Sequence, residues 1–278
     1  TLSTIGLVIG LGVMMGRILE ASGAAEKLAV TLIRWLGRKK EEWALAGAGF
    51  IISIPIFVDS AFVILSPLVK SLSRTSGRSI LTLGIALAGG LTVTHHAVPP
   101  TPGPLGAAGI FGVGVGEMIA WGVVLTIPAL LVVVLYAKVM GPRIEAMIEA
   151  DTGEKISPQE AFAEFEERAS DRERELPSLA LSVMPILVPI VLIFLNTFST
   201  NLTEAGVISL PEWLVQGAAF IGNPVIALLI GVLVAVYGLT RKQSRQGTIA
   251  DMEKGVESAG IILLVTGAGG ALGAVLRE

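Results

Sequence analysis

Asp59 stands in the stretch Gly49-Phe50-Ile51-Ile52-Ser53-Ile54-Pro55-Ile56-Phe57-Val58-Asp59-Ser60, with no other charge near it. A carboxylate this deep in apolar sequence is costly and defaults to a working role, binding a proton or cation or changing charge with conformation. A plainer reading competes with it: Pro55 breaks a helix and Asp59 caps a second half beginning near Ser60. The two are compatible, because the positive N-terminal end of a broken helix attracts anionic groups. The second constellation is Thr92-Val93-Thr94-His95-His96, followed by Pro99-Pro100-Thr101-Pro102-Gly103-Pro104, and it holds both histidines of the chain. Imidazole titrates near physiological pH and relays a proton or donates to a carboxylate, and threonine hydroxyls suit a polyhydroxylated ligand. Adjacent residues do not share a helical face, so one histidine faces a site, and His95 is the candidate. The alternative for such a histidine is a hydrogen bond to a neighbouring helix. Arg17 and Glu20, three apart, form a pair on one helical face, or Arg17 holds a carboxylate bidentately.

The elements that must position these residues are membrane helices. Of 278 residues 53% are hydrophobic and only 15% charged, against about 25% charged in soluble domains; mean hydropathy is +0.76. Without cysteine, thiol chemistry and disulfides are excluded. A net charge of -3 argues against a nucleic-acid partner. Three runs free of Asp, Glu, Lys and Arg, at 118–137, 178–203 and 213–240, are each long enough to span a bilayer. A fourth, 258–276, is rich in glycine. The stretches 2–37, 43–69 and 79–116 are apolar but irregular, and the proline run predicts a break near 99–104. Irregular backbone at membrane depth survives only where protein or a water-filled cavity covers it. The segment 141–177 is dense in Glu with Arg and Lys mixed in, and reads as a solvated connector between two membrane halves. Residues 157–175 are predicted helical, with Ser157 as N-cap and Pro158 at the first position. The chain opens in apolar sequence without the marks of a signal peptide.

Lys and Arg flank the spans unevenly. They are present at 138–177 and 241–254 and absent from 199–212, which places 199–212 outside and both flanking loops in the cytoplasm. Basic clusters at Arg38-Lys39-Lys40 and at Lys70, Arg74 and Arg78 are separated by one apparent span. A broken or re-entrant segment between them removes that conflict. Gly10-x-Gly12-x-x-x-Gly16 recurs as Gly267-x-Gly269-x-x-x-Gly273. This spacing suits a helix-packing face, but recurrence in two halves points to a transporter's binding region. The second copy reads as cut short, and a natural protein longer at both ends is expected.

Leu19-Glu20-Ala21-Ser22-Gly23-Ala24-Ala25, Ile54-Pro55-Ile56-Phe57-Val58-Asp59-Ser60-Ala61-Phe62, and Thr94-His95 leading to Pro99-Pro100-Thr101-Pro102-Gly103-Pro104 together resemble the gluconate:proton symporter (GntP) family. The resemblance is specific over 5–140 and looser over 178–278. It implies an all-α inverted-repeat secondary transporter with re-entrant hairpins and broken helices, in the bacterial inner membrane. The organisation expected is a first membrane repeat at 1–140, a charged cytoplasmic connector at 141–177 and a second repeat at 178–278. It also implies proton-coupled uptake of gluconate or a related small hydroxy-acid anion, with sodium as the alternative coupling ion and no cofactor or metal. Ser22, Gly23, Asp59, Ser60, Thr94, His95 and Thr101 would line the substrate site, joined from the second half by Gly267 and Gly269. Asp59 and His95 would carry the proton. At Thr101 the sequence departs from gluconate permeases, which often carry His there, and this opens the reading to shorter hydroxy acids.

A uniporter or channel for small organic anions is the alternative, and would need a continuous polar pathway. An intramembrane enzyme lacks its motifs: there is no His-Glu-x-x-His, no Gly-x-Ser-x-Gly and no Cys. The partners expected are the organic anion and the lipid bilayer, and a homo-oligomer is compatible with them.

Overall fold

A computed structural model describes residues 2–36, 39–152, 176–204, 211–241 and 243–275. Among the described residues there are eleven α-helices and no strand. The helix predicted over 157–175 and the part of the connector at 153–175 lie outside them.

Each helix boundary in the first half has a local cause. Helix α1 (Leu2–Ala21) and α2 (Ala24–Leu36) meet at Ser22-Gly23 in a 69° bend. Gly23 takes φ +75° there, a conformation closed to most side chains. Helix α3 (Glu41–Ile52) stops at Ser53, because Pro55 removes a donor and restricts the residue before it. Helix α4 (Val58–Ser76) restarts with Asp59 in its first turn, where a carboxylate complements the helix dipole. Phe57, not Asp59, is the N-cap residue, so Asp59 does not cap the helix as one sequence reading had it. Ser79 caps α5 (Ile80–Ala97), its Oγ accepting from the Thr82 N–H at 3.2 Å. That helix ends before Pro99, and α6 (Pro102–Phe111) begins with proline at its start, where the missing N–H does no harm. The predicted break therefore falls at 98–101, and the later prolines open a helix rather than prolong the break.

Helices α7 (Val115–Thr152) and α8 (Leu179–Glu204) are long and carry prolines at 128 and 142 and at 185 and 189. Helix α7 continues unbroken through 141–152, the start of the stretch read as a connector. Helices α9 (Glu212–Ile221) and α10 (Pro224–Leu239) divide the stretch read as one span, with a 61° bend at Gly222-Asn223. The cause is local: Asn223 Oδ1 accepts from the Val225 N–H at 3.0 Å, and Pro224 opens α10. Helix α11 (Arg245–Val275) completes the described chain.

Three helices, within 80–97, 115–151 and 179–200, are long and apolar enough to cross a membrane, and five if each bent pair counts as one span. Large apolar side chains of α7 (Trp121, Leu125, Val132, Leu135) and α8 (Leu187, Leu195, Phe198) are exposed, the pattern of a surface made for lipid rather than water. The interior core joins Met15, Ile18, Leu19, Leu45, Ile52, Leu87, Leu91 and Leu228.

Helices α3, α5 and α7 form the tightest layer. Gly49 of α3 lies on the backbone of Leu87 and Leu91, and Gly90 of α5 lies on Ala46. A methyl group at either would displace the neighbouring backbone, so glycine sets the spacing. Gly141, Gly89 and Gly122 meet Thr82, Val133 and Ala97 in turn, so α5 and α7 are antiparallel. Arg78 Nη1 lies 3.6 Å from Glu42 Oε1, which brings the segment just after α4 back to the start of α3. The α3–α4 pair therefore enters the bundle and returns to the end it left. Lys39 and Lys40, just before α3, and Arg78, just after α4, thus stand at the same end of the bundle.

Candidate functional site

The two breaks meet. The 53–57 break, at the tip of the re-entrant pair, and the 98–101 break, at the end of α5, line one small cavity with α1. Its wall includes Ile9, Gly12 and Val13 of α1, Pro55 and Phe57 of the first break, and His95, Pro100 and Thr101. Gly16 of α1 lies directly on the Pro55 carbonyl, so α1 is held close over the breaks. The cavity measures about 20 Å³, and since one water needs about 10–15 Å³ on this measure, it holds one or two waters. In this conformation it is closed to any hydroxy acid.

Its polar groups are few. His95 meets Phe57 edge to face, with centroids 5.4 Å apart. The His95 Nδ1 is buried and has no hydrogen-bond partner among the described residues. Burying a ring nitrogen without a partner is unfavourable, and such a group is open to a hydrogen bond from a ligand. His96 is exposed, with Nδ1 2.8 Å from the Thr92 carbonyl oxygen. Of the two histidines, His95 is the one that lines the cavity. Thr101 is buried, and its hydroxyl donates to the Val98 carbonyl at 2.7 Å. Asp59 is exposed, in the first turn of α4, two residues after Phe57.

The other sequence candidates lie elsewhere or are already engaged. Thr94 is fully buried, but its hydroxyl donates to the Gly90 carbonyl of its own helix at 3.3 Å. Ser60 sits beside Asp59 in the first turn of α4. Ser22 and Gly23 line a separate cavity of about 560 Å³ with Glu20, Glu26, Val63 and Pro67. That volume suits a small organic ligand, but two carboxylates on its wall disfavour an anion. Glu20 is itself paired with Arg17, Nη1 to Oε2 at 2.7 Å, as the three-residue spacing predicts. Gly267 and Gly269 lie within α11, and Gly267 does not line the cavity at the breaks.

Sequence reasoning passed over Ser53. Helical hydroxyls here turn back onto their own helix, as Thr126 does to Gly122 and Ser182 to Ser178. Ser53, fully buried at the first residue of the break, has no hydrogen-bond partner for Oγ among the described residues. Its place immediately before Ile54-Pro55 was the available signal.

Broken helices around a small cavity, within a surface built for lipid, define a polytopic α-helical membrane protein of transporter type. The chain belongs to the GntP permease family: residues 1–278 match the family described as GntP family permease. It is 52% identical over its whole length to an "uncharacterized permease" of Haemophilus influenzae, covering 56% of that protein. It is 36% identical, again over its whole length, to an "inner membrane permease" of Escherichia coli, covering 60% of it. It is 32% identical to a "gluconate permease" of Pseudomonas aeruginosa, over 97% of this chain and 57% of that one. The chain thus spans somewhat more than half the length of these relatives. No solved structure matches it.

Proposed function

We propose that the protein is a secondary active transporter of the inner membrane that takes up gluconate or a related small hydroxy-acid anion together with a proton. Family membership and the name of the Pseudomonas aeruginosa relative support the substrate class, and the name of the Escherichia coli relative supports the membrane. The observation that carries the site is the unpartnered His95 Nδ1 at the meeting of two helix breaks. The membrane halves are 1–140 and 178–278, joined by 141–177, and are related as inverted repeats.

The anion enters when α1 moves off the breaks. The dipole at the N-terminus of α4 and the hydroxyl of Thr101 attract its carboxylate and hydroxyl groups. His95, assisted by Asp59 at the start of α4, takes the proton that offsets the substrate's charge. Ser22, Gly23, Gly267 and Gly269 take no part in this first contact, and Thr94 precedes His95 in the same turn of α5.

Uptake of labelled gluconate into proteoliposomes, with and without an inward proton gradient, tests the reading. Accumulation that collapses with the gradient supports it, and competition by unlabelled glycerate or lactate sets the acid's length. Equilibration without accumulation points to a uniporter or channel. Absence of both uptake and competition removes gluconate and its shorter analogues.

A further inference from the structure

At the opposite end of the α3–α5–α7 layer from His95 lies a cluster of charges that the transport reading does not use. Glu42, in the first turn of α3, is 0% exposed. Arg78 Nη1 lies 3.6 Å from one of its oxygens and Lys138 Nζ 3.9 Å from the other. Neither distance is a hydrogen bond, and neither carboxylate oxygen has a hydrogen-bond partner among the described residues. Both cations remain partly open, with side chains 42% and 36% exposed. Lys138 also stands 5.8 Å over the Trp43 ring, a geometry that draws a cation to a π face.

Two cations for one carboxylate leave a positive excess. The neighbouring charges do not cancel it: Glu41 is buried beside Glu42, while Lys39 and Lys40 are exposed next to them. The exposed apolar stripe of α7, with Val132, Leu135, Tyr136 and Val139, leads directly to Lys138. An acyl chain packed along that stripe carries its headgroup toward the two cations. The distribution of Lys and Arg places this end in the cytoplasm, where the leaflet is anionic.

We propose that Arg78 and Lys138 form a binding site for the phosphate of an anionic phospholipid, with its acyl chains along α7. Glu42 holds the two cations together from beneath. Its own negative charge keeps the affinity moderate, so the lipid exchanges.

The test is binding of a fluorescent phosphatidylglycerol to the purified protein in phosphatidylcholine nanodiscs, with inorganic phosphate and unlabelled lipids as competitors. The wild type should prefer phosphatidylglycerol over phosphatidylcholine, and millimolar phosphate should not displace it. Glu42→Gln, which keeps both cations and removes the opposing charge, should bind the anionic lipid several-fold more tightly. The variant E42Q/R78Q/K138Q buries no unpaired charge and so keeps the fold. It should lose the preference, at about fivefold per cation removed. Equal binding of the two lipids, a preference unchanged in the triple variant, or full displacement by inorganic phosphate overturns the proposal. So does carboxyl–amine crosslinking that joins Lys138 to the acidic residues of 153–175 regardless of lipid.

Discussion

The imidazole of His95 and the ring of Phe57 meet edge to face, 5.4 Å between centroids and 64° between planes. This contact joins the C-terminal end of α5 to the break before α4, two segments separated in sequence by the whole of α4. The pairing leaves the Nδ1 of the imidazole without a hydrogen-bond partner among the described residues.

His95→Gln should therefore abolish most coupled uptake while costing little stability, because the change breaks no hydrogen bond made by Nδ1. His96→Gln, at an exposed position, should leave the transport rate within about twofold of wild type, the ring serving only its own helix. Initial uptake rates and thermal unfolding in detergent, measured on both variants, separate the roles. Equal losses in the two would remove His95 from its special place.

Gly16→Ala should destabilise the protein by about 1–3 kcal/mol, the usual range for an overpacked contact. The added methyl collides with the Pro55 carbonyl, and neither backbone can yield cheaply. If α1 must leave the breaks for substrate to enter, the same change should also raise the open fraction. The cavity at His95 should then become accessible to a water-soluble reagent in a Phe57→Cys background. Unchanged melting would show that α1 does not rest on Pro55 in solution.

The breaks were legible in the sequence because Pro55 and the run from Pro99 stand at them, although proline alone does not decide the matter: those at 128, 142, 185 and 189 lie inside continuous helices. The membrane class was legible from composition, and the Arg17–Glu20 pair from spacing alone. The bend at Gly222-Asn223 was signalled by Asn-Pro but masked by the apolar run around it, since hydropathy is blind to direction. Ser22 and Gly23 share a motif style with the breaks yet line a different cavity. Which bends converge depends on helix packing, set here by Gly49 on Leu87 and Gly90 on Ala46, and such contacts are not written in local sequence. Nor could sequence show that Thr94 spends its hydroxyl on its own helix while Ser53 does not.

Glu42 gives a stability test independent of transport. Replacing both Arg78 and Lys138 by Met leaves a fully buried carboxylate uncompensated, at a cost toward the low end of about 3–5 kcal/mol because the cations are partly exposed. Adding Glu42→Gln should recover most of the loss, since a neutral group is far cheaper to bury than an unpaired charge. Thermal unfolding of the double and triple variants reads this directly. A triple variant no more stable than the double would mean that the three side chains are not coupled.

Asp59→Asn separates proton coupling from architecture. Asp59 is exposed in the first turn of α4, whose N-cap makes no side-chain hydrogen bond. Its structural contribution is then the favourable interaction with the helix dipole, about 0.3–1 kcal/mol, and Asn preserves the side-chain shape. The variant should fold and melt within a few degrees of wild type. If Asp59 works with His95 on the proton, the variant should still exchange labelled substrate across the membrane but fail to accumulate it against a gradient. Counterflow measured beside gradient-driven uptake distinguishes the two. Intact accumulation would leave His95 as the proton's carrier and reduce Asp59 to a charge that steadies the start of α4.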